Sequence, residues 1–70
     1  MPLCFAPSGK EFKVLKVGGE SSIAHHLASL GIVSDSKITV LSQEGSGTVI
    51  RVKESRLALN RDVARHILVA

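Results

Sequence analysis

One cysteine, Cys4, in a chain of 70 residues removes the devices that hold most very small domains together. A chain this short buries a modest share of its surface, so disulfides or a structural metal commonly make up the difference. With a single thiol no internal disulfide can form, and a zinc ribbon or finger built on paired CxxC elements is excluded. Stability has to come from packed aliphatic side chains, which the 44% hydrophobic content supplies. There is room for one domain, 1–70, around one core. No long apolar run follows a charged start, so neither a signal peptide nor a membrane span is expected. A lone thiol then fits a reducing cytoplasm.

Alternation and turn chemistry divide the chain into short elements. Pro2 to Ser8 reads as an extended lead-in with Pro7-Ser8-Gly9 as its turn. Lys10 to Val17 is rich in β-formers. Phe12 and Val14 share one face while Leu15 and Val17 share the other, which predicts a bulge near Val14-Leu15 or a strand buried partly on both sides. Beyond Gly18-Gly19, Ser21-Ser22 offers a helix N-cap, and Ile23, Leu27 and Leu30 repeat at i, i+4 and i+7 as a core-facing stripe. Gly31 stands where a glycine closes a helix.

Strand-like runs follow. Lys37 to Ser42 carries Ile38 and Val40 on one face, and Thr48 to Lys53 turns Ile50 and Val52 inward with Val49, Arg51 and Lys53 outward. Between them Glu44-Gly45-Ser46-Gly47 reads as a flexible hairpin loop. Arg56 to Leu59 points Leu57 and Leu59 inward. Asn60 is placed to cap a single helical turn through Asp62-Val63-Ala64, before a last strand from His66 to Val69. The pattern predicts a mainly β chain: a small SH3-like five-stranded barrel, with one short helix between strands 1 and 2 and a helical turn before the last strand. Closure would remove the exposed edges.

The chemistry-bearing residues are sparse. The sequence contains no GxSxG, HExxH, GxxxxGK or GxGxxG, and its six carboxylates are scattered, so no enzyme is expected. Cys4, near an expected mobile N-terminus, is poorly placed as a nucleophile. The candidate metal ligands are Cys4, His25, His26 and His66. At about 100° per residue, His26 lies on the flank of the apolar helix face and His25 points nearly opposite, so the two diverge. Any Fe2+ or Zn2+ site would be weak or shared between subunits, and no cofactor is required.

A net charge of +3, no Trp, no Tyr and only Phe5 and Phe12 leave no stacking surface for bases, which argues against nucleic acid. Lys10 and Lys16 share strand parity and Lys13 does not, whereas Arg51 and Lys53 share an outward face that reads as a solvated surface or as a contact to an acidic partner or to the headgroup zone of a membrane protein.

Over some 65 residues the order of these pieces resembles the FeoA family. The similarity runs through Leu27-Ala28-Ser29-Leu30-Gly31-Ile32, Ile38-Thr39-Val40 and Gly47-Thr48-Val49-Ile50-Arg51-Val52. It closes on Leu57-Ala58-Leu59, Ala64 and Ile67-Leu68-Val69. The chain departs from the family at Ser34-Asp35, where Pro-Gly is common and an Asp35 side-chain bond is expected to make the turn, and at Asn60-Arg61, where a basic residue often comes first.

The resemblance implies a cytoplasmic SH3-like barrel that binds the cytoplasmic portion of the membrane GTPase-transporter FeoB and modulates ferrous iron uptake. No direct membrane insertion is implied, and a homo-oligomer is left open. The expected contact residues are His26, Leu30, Gly31 and Ile32 at the helix and its exit, with Arg51 and Lys53. Two alternatives stand beside this reading: a metal-binding sensor or carrier using Cys4 and the histidines, and a detached corepressor-type domain of a metal-dependent regulator.

Overall fold

A computed structural model describes residues 1–70. The strands follow the alternation of apolar and polar side chains. In β1 (Glu11–Val17) Phe12 and Val14 are buried between exposed neighbours. The same pattern buries Ile38 and Val40 in β2 (Lys37–Glu44), and Ile50 and Val52 in β3 (Gly47–Val52). It buries Leu59 in β4 (Ser55–Asn60), where Leu57 is half-buried, and both Ile67 and Val69 in β5 (Ile67–Val69). These side chains and Leu27 of α1 (Ser21–Ser29) join one core cluster, to which α2 (Arg61–Arg65) adds Ala64.

The five strands form one antiparallel sheet in the order β4-β3-β2-β1-β5. The register of β1 against β5 shifts between Val14 and Lys16, so the expected bulge is present, and it leaves Leu15 exposed. A second shift, between Val40 and Ser42, does the same to Leu41. No helix is long and apolar enough to cross a membrane.

Hydrogen-bonded closure, in contrast, does not occur, because no ladder joins β4 to β5. The outer edge of β5 is covered by the chain's start. Pro2 bridges to Leu68, the Val69 N–H donates to the Met1 carbonyl at 2.8 Å, and the Met1 ammonium donates to the Val69 carbonyl at 2.9 Å. The outer edge of β4 stays bare. Val52 and Ser55 flank a two-residue turn, so ladder alternation puts the N–H and C=O of Arg56 and Ala58 on that edge. Neither residue's backbone has a hydrogen-bond partner elsewhere.

Three turns differ from the sequence reading. Helix α1 begins at Ser21 with Glu20 as its N-cap and no side-chain cap bond, because both serines lie inside the first turn. The segment Glu44 to Gly47 is a tight turn rather than a flexible loop, since Glu44 and Gly47 pair across the ladder and leave only Gly45-Ser46 between them. The bend at Ser34-Asp35 is closed by Ser36, whose hydroxyl donates to the Val33 carbonyl at 2.7 Å. Asp35 itself takes a φ of 74°, and its carboxylate sits 3.3 Å from Lys13 Nζ.

The N-terminal segment is not a loose lead-in. Leu3–Phe5 forms a 3-10 turn, with Leu3 and Ala6 buried in the core. Its two carbonyls at Leu3 and Ala6 accept from Gln43 Nε2 at 2.9 and 2.7 Å, and buried Thr48 donates its hydroxyl to Gln43 Oε1 at 2.7 Å. One side chain thus ties the start of the chain to the β2–β3 hairpin. Gln43→Ala should cost about 1–3 kcal/mol by leaving part-buried polar groups without partners. Hydrogen exchange of the Phe5 and Ala6 amides, which close the 3-10 turn on the Pro2 and Leu3 carbonyls, should accelerate more than that of β3. Unchanged exchange there would show that the turn holds without Gln43.

Candidate functional site

The exit of α1 is a Schellman ending, and it shapes the surface around it. Gly31, at φ 94°, takes the left-handed position. The Ile32 N–H donates back to the Leu27 carbonyl at 2.9 Å, and the Gly31 N–H donates to that of Ala28 at 3.0 Å. The apolar contact that accompanies this motif draws Ile32 inward against Leu27, and each is only 1% exposed. Ile32 therefore belongs to the core, which corrects its placement among the surface contacts. Leu30, the residue before the glycine, is half-buried, as is Ile23, so of the expected helical stripe only Leu27 is fully enclosed.

Two depressions flank this ending. Asn60 Oδ1 accepts from the Val63 N–H at 2.8 Å, so α2 starts directly off β4 as expected from the cap residue. Between α1, β4 and α2 lies an apolar groove of about 410 Å³, lined by Ile23, His26, Leu27, Ala58, Leu59 and Val63 among others. Ala58 is exposed, while Ile23 and Val63 are half-buried. The groove is open to solvent, and its floor is the top of the core.

On the other side, the α1 exit meets the ends of β2 and β3 in a polar recess of about 450 Å³. Glu11, Gly31, Ser36, Lys37, Thr39, Arg51, Val52 and Lys53 line it, so one carboxylate stands among three cations.

The structure therefore divides the expected contact residues. His26 lies in the apolar groove, and Gly31, Arg51 and Lys53 lie in the recess. Sequence reasoning missed Lys37 and Thr39, although strand parity puts them on one face of β2, and Thr39 pairs with Arg51 across the ladder. It also missed Ala58 and Val63, whose exposure depends on where α1 and α2 pack.

The candidate metal ligands are dispersed. Cys4 sits on the N-terminal 3-10 turn, His25 and His26 are on α1, and His66 caps the end of α2 beside Gly19. No three His, Cys, Asp or Glu side chains come together to hold a metal ion.

Known proteins carry the same architecture. The chain is 34% identical over 68 residues to a protein of Methanocaldococcus jannaschii provisionally named Fe(2+) transport protein A, covering 97% of this chain and 83% of that one. It aligns at a TM-score of 0.90 with the crystal structure of an iron uptake regulatory protein, FeoA. That protein is 26% identical, and the match spans 99% of this chain and 93% of the other. A zinc-complexed FeoA of Stenotrophomonas maltophilia, described as a prokaryotic SH3 domain protein, aligns at 0.86 with 24% identity over 100% and 89% of the two chains. That last likeness is one of fold. The FeoA domain family matches residues 1–70, so this SH3-like chain belongs to the FeoA domain family.

Proposed function

We propose that this protein is a cytoplasmic accessory module of ferrous iron uptake that docks on the cytoplasmic part of a FeoB-type membrane GTPase transporter and modulates its uptake. The observation that carries the reading is the solvent-open apolar groove between α1, β4 and α2. Apolar surface left uncovered beside a small core is what a protein partner can bury, at roughly 25 cal/mol per Å² removed from water. Its relatives support the setting, being named for Fe(2+) transport, and the Stenotrophomonas maltophilia protein is described as a candidate ferrous iron transport activating factor.

A calorimetric titration of the whole protein against the cytoplasmic part of the co-encoded transporter tests the reading. Ala58→Glu places a charge on an exposed groove residue without touching the core. It should weaken binding about tenfold or more while leaving the melting temperature within a few degrees. Binding that ignores Ala58→Glu would remove the groove from the interface. No binding by the unaltered protein would remove the transporter as its partner.

A further inference from the structure

The basic residues are distributed unevenly over the surface. Of the nine, Lys13 and Arg65 are each held 3.3 Å from a carboxylate, by Asp35 and Asp62 respectively. No carboxylate lies within 4.0 Å of Lys37, Arg51, Lys53 or Arg56. Lys37, Arg51 and Arg56 are exposed on the strands, and Lys53 follows in the β3–β4 turn. Glu11 pairs with Thr39, Thr39 with Arg51 and Arg51 with Arg56, so one row crosses four strands with two guanidiniums at its end. In the neighbouring row Lys13 faces Lys37. Like charges set directly opposite are unfavourable in a sheet, so the fold carries a cost to keep cations here.

Two backbone features shape the recess. Gly31 presents no side chain to it, and a Cβ there would come within 3.3 Å of Val52, so the floor stays open. Lys53 occupies the first central position of the β3–β4 turn at a φ of 56°, a left-handed conformation that glycine adopts without strain. A lysine at this position puts an ammonium on the rim that glycine would not supply.

We propose that this recess takes the carboxylate side chains of an extended acidic segment of a protein partner. The guanidinium of Arg51 grips one carboxylate through paired N–H donors, and the ammonium groups of Lys37 and Lys53 hold the next as point charges. Nucleic acid is the poorer occupant. No aromatic side chain lines the recess on which a base could stack, since Phe12 is buried and Phe5 lies on the N-terminal turn. The proposal deepens the docking reading by giving the partner a second contact of different chemistry.

A nitrogen–proton NMR titration of the full chain with a capped hexaglutamate peptide tests this binding directly. Amides of Gly31, Lys37, Thr39, Arg51 and Lys53 should shift with a dissociation constant on the order of 1 mM. Raising salt from about 20 to about 300 mM should weaken binding at least ~5-fold as the charges are screened. Lys37→Gln with Arg51→Gln should abolish the shifts, whereas Lys10→Gln with Lys16→Gln, the same change in net charge elsewhere, should preserve them.

Equal loss from both pairs would reduce the effect to net charge and overturn the proposal. So would tighter binding of inorganic phosphate or of an oligothymidylate in parallel titrations. Transporter docking that persists when hexaglutamate fails to bind removes the recess alone; peptide binding without transporter docking removes the partner and leaves the recess.

Discussion

Gly47→Ala is expected to melt well below the unaltered protein. Gly47 opens β3, where the chain leaves the Gly45-Ser46 turn and pairs with Asn60 of β4. A Cβ built on it would overlap the carbonyl oxygen of Leu59 and stand 3.2 Å from both the Leu59 carbonyl carbon and the Asn60 Cα. All three are backbone atoms, so no side chain can swing aside, and relief requires parting β3 from β4 at the point where α2 departs.

Loss of this pairing, with core residue Leu59 displaced, should cost at least about 3 kcal/mol, a large share of what a domain of this size has. For 60–100 residues each kcal/mol shifts the melting temperature by about 4–8 °C, so a fall of about 12 °C or more is expected by circular dichroism. Gly45→Ala is the internal control. Nothing lies within 4 Å of its Cβ position and its φ is not positive, so its midpoint should barely move. Similar melting of the two variants would mean that β4 adjusts freely to β3.

The second large effect belongs to Leu27→Ala. Leu27 is the one fully buried side chain of α1, and its carbonyl accepts from both Leu30 and Ile32, at 3.0 and 2.9 Å. Truncation leaves a cavity under the helix, with an expected loss of about 2–5 kcal/mol. Ile23→Ala, at a half-buried position on the same face, should lose less, about 1 kcal/mol. Urea denaturation at constant m-value separates the two. Because α1 forms one wall of the apolar groove, Leu27→Ala should also weaken transporter docking under conditions in which the variant remains folded. An equal, small shift for both variants would show that α1 is held by its backbone ending rather than by Leu27.

Much of this architecture is local and therefore readable from the chain. Ile38 with Val40, and Ile50 with Val52, alternate because a half-buried strand has a two-residue period. The slip of parity from Val14 to Leu15 marks a real bulge for the same reason. Gly31 and Asn60 terminate and start helices through bonds that span only a few residues.

What escaped the sequence reading depends on partners far away along the chain. Nothing in Pro2 to Ser8 says that Gln43, forty residues on from Leu3, will hold its carbonyls. A helical stripe does not say how far Ile23 and Leu30 sink, or that the backward bond of Ile32 pulls that side chain under Leu27. Nor does periodicity decide how α1 lies over the sheet, and that placement is what parts His26 from Arg51. The recess was half visible in the parity of Arg51 and Lys53, but Lys37 joins them only through the way the ends of β2 and β3 come together around it.

The bare rim of β4 has a consequence for how these molecules behave when crowded. A row of unbonded amides invites a second copy to lay its own β4 alongside, and with β5 already covered such pairing stops at two. An antiparallel pairing centred on Arg56 would set it opposite Arg56 of the second copy, where like charges repel. The one open seam in the sheet is thus also the place where self-assembly meets electrostatic resistance.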